Sequence, residues 1–170
     1  MIQFISNSDH YTEVLARAAS VKESLWIGTA DIKDLYVGDG RDKKPFVGVL
    51  ADLVKRGVGV RLIHAKEPGP NFRADFDKYK ILKTGMEREL CPRVHFKIVV
   101  FDFKVAYIGS ANLTGAGIGM KGDGKRNFEA GIMTDEPELV EAALNQFDEV
   151  WMGSHCEKCR RKAYCGDPIK

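Results

Sequence analysis

Residues 94–112 read VHFKIVVFDFKVAYIGSAN. Successive side chains of a strand point to opposite sides, so Val94, Phe96, Ile98 and Val100 share one face. His95, Lys97, Val99 and Phe101 share the other, and a strand from Val94 to Phe101 is expected. His95 and Lys97 then point the same way, about 7 Å apart along the strand. Asp102-Phe103 opens a tight turn, and Lys104 to Ile108 reads as the second strand of a hairpin. Gly109-Ser110 closes that strand, where small residues let backbone N–H groups approach a ligand. A lysine inside an otherwise apolar strand is costly to bury without a partner. A phosphate shared with His95 is a natural one.

Working outward, Arg126 to Met133 reads as another strand, with Asn127 and Glu129 on one face and Phe128, Ala130 and Ile132 on the other. Upstream, Ile2–Ile5 and Ser24–Thr29 read as strands, and a helix capped by Ser8 or Asp9 runs to about Ser20 with Val14, Leu15 and Ala18 inward. Residues 30–44 read as a helical turn and loop. Phe46–Arg56 has apolar residues at helical spacing (Val47, Leu50, Leu53, Val54), Gly57 ends it, and Val58–His64 is a strand. Phe72–Leu82 reads as a helix, and Glu136–Trp151 as a final one, with Pro137 in its first turn and Leu139, Ala143, Leu144, Phe147 and Trp151 inward. Helices alternating with strands predict an α/β fold, an α-β-α sandwich around a mixed sheet.

The spacing H-x-K-x4-D-x6-G-S-x-N is unbroken from His95 to Asn112 and is followed by N-x-E at Asn127 and Glu129. It resembles the HKD signature of the phospholipase D superfamily. The resemblance covers about Val21 to Val150, including the helix–strand pair LADLVKRGVGVRLI before the motif. It implies a metal-independent, two-step displacement at phosphorus. One histidine attacks and forms a phosphohistidine, and a second protonates the leaving oxygen and then activates water. Two lysines neutralise the non-bridging oxygens. It makes His95, Lys97, Asp102, Ser110, Asn112 and Glu129 the candidate catalytic set, with Glu129 fixing the tautomer of a catalytic histidine. Asp102 either orients catalytic groups or holds the hairpin turn.

That chemistry needs two His–Lys pairs, and the chain has one. His10, His64 and His155 have no lysine at the right spacing. An isologous homodimer would supply the second pair without further sequence. The small Nuc-type bacterial endonucleases resemble this layout in size and motif number.

A chain of 170 residues with 44% hydrophobic and 29% charged content supports one sizeable core. No apolar run is long enough to span a membrane, and the first ten residues lack a secretory pattern, so a cytoplasmic protein is expected. The net charge of +2 does not by itself argue for nucleic acid. Local groups do more: Lys78, Lys80 and Lys83, then Lys121, Lys125 and Arg126, then Arg160, Arg161 and Lys162.

Residues 1–152 are read as the catalytic domain and 153–170 as a cysteine-rich tail. Its C-x2-C-x5-C (Cys156, Cys159, Cys165), with Cys91 upstream, has the spacing of a structural zinc site or a [4Fe–4S] cluster. The tail also resembles the cluster-binding tails of some DNA nucleases. Disulfides and free thiols are the competing readings, and His155 is a spare ligand. The leading function is a phosphodiesterase cleaving DNA or RNA. The alternatives are a phospholipid hydrolase or phosphatidyltransferase, and a nucleic-acid-binding module without catalysis.

Overall fold

A computed structural model describes residues 1–38 and 40–166. The chain opens with β1 (Ile2–Ser6), a π-helical turn (Tyr11–Ala16) running into a 3-10 turn (Arg17–Ser20), and β2 (Ser24–Thr29). A small hairpin follows, β3 (Tyr36–Val37) and β4 (Lys44–Pro45), in the region expected to be helical turn and loop. Then come α1 (Phe46–Lys55), β5 (Gly59–His64), α2 (Pro70–Lys78), α3 (Leu82–Gly85) and β6 (Met86–Leu90). The last elements are β7 (Lys97–Phe101), β8 (Val105–Gly109), β9 (Ala130–Thr134) and α4 (Pro137–Trp151).

Seven strands form one mixed sheet in the order β1-β9-β8-β7-β2-β5-β6. The pairs from β1 to β2 are antiparallel, and β2/β5 and β5/β6 are parallel. On one face α1 buries Phe46, Val47, Leu50 and Leu53 against Leu25, Ile27, Leu62, Val99 and Tyr107. On the other, α4 buries Val140, Ala143 and Phe147 over Ile98, Val100 and Ala106. The expected α-β-α sandwich is therefore the observed one, with Val140 rather than Leu139 as the buried residue of the first turns of α4. The end of α4 is fixed by Arg61, whose guanidinium lies between the rings of Trp26 and Trp151, 4.7 and 5.2 Å from their centroids.

Three element boundaries differ from expectation. β7 starts at Lys97, not Val94: its partner β8 ends at Gly109 opposite Lys97, and Ser110 turns away to donate its N–H to the Ala130 carbonyl (3.0 Å). Residues 94–96 are left without a ladder on that side. β9 likewise starts at Ala130, with Asn127–Glu129 as irregular chain before it. The helix expected over Phe72–Leu82 breaks at Tyr79 into α2 and α3. β6, an edge strand in which Glu87 and Glu89 alternate with half-buried residues, was not expected at all.

The hairpin turn depends on Asp102. Its backbone is left-handed (φ 52°), a conformation that costs less for Asp than for most residues. Its carboxylate accepts the backbone N–H groups of Lys22 (3.0 Å), Glu23 (2.6 Å) and Ser24 (3.1 Å). Burial alone would raise its pKa, but those donors and Lys104 outweigh it and hold the carboxyl below its ordinary range. Asp102 thus ties the β7–β8 turn to the start of β2. At the other end of the sheet His64 is fully buried, its Nδ1 2.7 Å from the Lys66 carbonyl and its Nε2 accepting from Arg88 Nε (2.9 Å). Burial, helped by the charge of Arg88 and against the pull of the Lys66 carbonyl, pushes its pKa down to about 4.

Two stability predictions follow from these anchors. Asp102→Ala leaves three donors unpaired and should cost about 1–3 kcal/mol in urea unfolding, with Asp102→Asn costing less. The carboxylate's contribution is complete above about pH 4 and fades as pH falls through its lower folded value. Turnover per folded molecule should be unchanged in Asp102→Asn, and a large loss of turnover at unchanged stability would return Asp102 to the catalytic set. For His64 the unfolded chain takes a proton below about pH 6.5 that the folded chain refuses until about pH 4. Stability should therefore fall across that window by at most about 3 kcal/mol. His64→Gln should flatten the slope, and an unchanged slope would show that His64 is not its source.

Candidate active site

Lys97 is the first residue of β7 and is only 7% exposed. Its ammonium donates to the His95 carbonyl (2.8 Å) and lies 3.5 Å from His95 Nδ1. Among the described residues no carboxylate stands within ion-pair distance of it. Burial lowers its pKa, and the charge of Glu129 opposes that without cancelling it. An unpaired ammonium set into the end of a sheet is a preformed place for an anion. His95 itself is exposed, on the unpaired residues before the strand, so its ring is open to a reactant.

Two close approaches hold this segment in place. Phe96, between the two, lies over Gly28 of β2: a Cβ on Gly28 would stand 2.2 Å from its ring. The Tyr107 ring crosses Gly109 and Gly131, where a Cβ would come within 2.3 and 2.6 Å of it, and its hydroxyl accepts the Ala111 N–H (3.1 Å). The glycine of G-S-x-N is therefore needed for packing under Tyr107.

Ser110 and Glu129 form the second cluster. The Ser110 hydroxyl donates to Glu129 Oε2 (2.5 Å) and accepts the Ala130 N–H (3.1 Å). Asn127 donates to Glu129 Oε1 (3.0 Å). Asn7, left-handed at the end of β1, clamps the Glu129 backbone: its N–H donates to the Glu129 carbonyl (2.9 Å), and its side-chain oxygen accepts the Glu129 N–H (3.2 Å). Glu129 thus bonds Ser110 and Asn127 where a bond to the catalytic histidine was expected. Asn112 turns away from the ligand side, its Oδ1 accepting from the Thr29 hydroxyl (3.3 Å) and the Asp31 N–H (3.2 Å) to brace the loop after β2.

The structure therefore gathers His95, Lys97, Ser110 and Glu129 at one end of β7–β9, with Asn112 supporting from behind. Asp102 lies at the opposite end of the same hairpin, where it serves the turn. Asn7 and Thr29 were not anticipated; the Asn-Ser-Asp turn after β1 is the only sequence signal for the first, and the second carries none. The other histidines are committed elsewhere. His64 is held as described, His10 is buried with Nδ1 on the Asn7 carbonyl (2.9 Å), and His155 faces Glu149 (2.8 Å). A broad concavity of about 830 Å³ near Ser8, Val37 and Gly119 contains none of the motif residues. Among the described residues no three His, Cys, Asp or Glu side chains stand close enough to hold a metal ion, and no helix is long and apolar enough to cross a membrane.

No curated protein sequence matches significantly. Among solved structures, Nuc from Salmonella typhimurium, described as a phospholipase D family member, shares the fold with a TM-score of 0.66 at 20% identity, over 89% of this chain and 94% of that one. NucT from Helicobacter pylori does so with a TM-score of 0.65 at 16% identity, over 89% and 97%. TrmBL2, an archaeal chromatin protein described as showing a novel mode of DNA binding, matches with a TM-score of 0.62 at 13% identity, over 89% and 52%. The family model described as "Cardiolipin synthase, PLD-like domain" matches residues 14–151. With that match spanning most of its length, the chain belongs to the phospholipase D-like family.

Proposed function

We propose that this protein is a metal-independent phosphodiesterase that cleaves nucleic acid through a phosphohistidine at His95, in a site completed by a second copy of the chain. The observation that carries the reading is the buried Lys97 ammonium, which among the described residues has no carboxylate within ion-pair distance and lies 3.5 Å from the ring of an exposed histidine. A phosphodiester supplies the missing negative charge. His95 then attacks phosphorus, forming a P–N bond as the leaving P–O bond breaks. The leaving oxygen takes a proton from the histidine of the second copy. That histidine next removes a proton from water, which attacks phosphorus and breaks the P–N bond.

The second copy has a surface to meet. Ile2 and Phe4 on edge strand β1 are 60% and 70% exposed, and Phe128, next to Glu129, is 92% exposed. Phe4 is in register with Ile132, and Ile132 with Ile108, so the exposed Phe4 extends the apolar row of the α4 face to the sheet edge. Such a patch marks an association surface. Nucleic acid is favoured as substrate by the exposed Lys121 and Lys125 on the loop between Asn112 and Glu129, and by the size and single His–Lys pair shared with the Nuc-type endonucleases. The description of the matching family supports a second reading: transfer of a phosphatidyl group, with an alcohol in place of water. The free thiols fit a reducing compartment such as the cytoplasm.

Labelled single-stranded and duplex DNA and RNA should be cut by the wild type in EDTA, which removes magnesium and calcium. His95→Ala and Lys97→Ala should each lose at least about 100-fold in kcat. Co-expressed in equal amounts, wild type and His95→Ala should pair so that only about one quarter of dimers keep both histidines, and activity should follow that fraction. Activity at one half would mean that each chain works alone. Cleavage of phosphatidyl substrates and not of nucleic acid would favour the second reading.

A further inference from the structure

We infer that Cys91, Cys156, Cys159 and Cys165 are the ligands of one thiophilic metal centre that ties the tail after α4 to the segment leading into His95. Beyond Trp151 the described tail has only a 3-10 turn, Lys162–Tyr164, and no buried residue. Met152 and Tyr164, its large hydrophobics, are 66% and 73% exposed, so no apolar core holds it. From 152 to 166 the only side chains withdrawn from solvent are those of the three cysteines.

They turn inward toward the fourth. Cys91, Cys156 and Cys159 line one cavity of about 400 Å³, which His95 also borders. The Cys165 thiol lies 3.9 Å from the carbonyl of Leu90, the residue before Cys91. Cys91 is held firmly, its N–H donating to the His64 carbonyl at the sheet edge (2.9 Å). Cys156 and Cys159 share a tight turn (Cys159 N–H to Cys156 carbonyl, 3.1 Å), and the Arg161 N–H donates to Cys159 Sγ at 3.4 Å. Backbone donors of this kind support a sulfur that ligates a metal. All four thiols are free, and His155, facing Glu149, is not needed.

The sulfurs do not yet surround a common point. Bonds of about 2.3 Å would draw them together, and the three tail cysteines lie outside every helix and strand. Binding releases the thiol protons and converts binding free energy into order in the tail.

The full-length protein, purified under reducing conditions without chelator, should carry about one zinc per chain, or about four irons with sulfide. Metal analysis and the visible spectrum distinguish the two, and either supports the site. Cys91→Ser should lose the metal, while Cys91→His should keep zinc. Trypsin should then cut Cys91→Ser at the exposed Arg160-Arg161-Lys162 and leave the rest intact, a pattern that separates loss of the site from loss of the fold. Failure of the wild type to bind zinc or a cluster would overturn the inference, as would full metal in Cys91→Ser or disulfides found by thiol labelling.

Discussion

The burial of one uncompensated ammonium governs the functional end of this fold. Lys97 sits at 7% exposure with a carbonyl and an imidazole as its neighbours. Burial disfavours the charged form of Lys97, and its hydrogen bond to the His95 carbonyl and the field of Glu129 offset part of that cost. The fold bears that cost by making the surroundings stiff. Phe96 locks over Gly28, Tyr107 locks over Gly109 and Gly131, and β7 is paired to β8 from Lys97 onward and to β2 from Ile98 onward. A site whose charge is already desolvated spends little on reorganisation when an anion arrives.

The two ends of the β7–β8 hairpin divide the labour. At the turn, Asp102 spends its charge on three backbone donors and joins the hairpin to β2. At the open end, Glu129 turns its carboxylate to the Ser110 hydroxyl and the Asn127 amide, and Lys97 feels it only as a field. A direct Glu129–Lys97 pair would close the place an anion is meant to take. Asn7 clamps the Glu129 backbone from β1, and Ser110 and Asn127 hold its carboxylate.

Much of this was legible in the residues. Ser24–Thr29 and the helix from Phe46 were readable because their apolar spacing and Gly57 agree with the tertiary structure. The start of β7 was not, because the alternation of VHFKIVVF continues past the point where a partner strand exists; pairing, not periodicity, sets that boundary. Edge strand β6 was hidden because its alternating charges read equally well as loop. Asp102 shows the limit of motif reading: its place in the spacing is fixed, but its role depends on a left-handed φ and on donors some eighty residues away in sequence. The cysteine spacing was plain, yet only the fold shows that, among the described residues of the tail, the thiols are the side chains withdrawn from solvent.

On the proposed reading, pairing two copies raises an electrostatic problem. Two half-sites brought to one cleft would set two lysines against each other, and the exposed Ile2, Phe4 and Phe128 are the apolar surface that could offset the repulsion. Glu129 of each chain lowers the repulsion without removing it, since its carboxylate is already engaged by Ser110 and Asn127. In such a pair the positive potential would be greatest where the two His–Lys pairs meet, and a phosphate there would relieve the repulsion from both sides. On the proposed reading, association and anion binding are therefore linked: whatever occupies the cleft as an anion also strengthens the pair, and the empty pair is the weaker one.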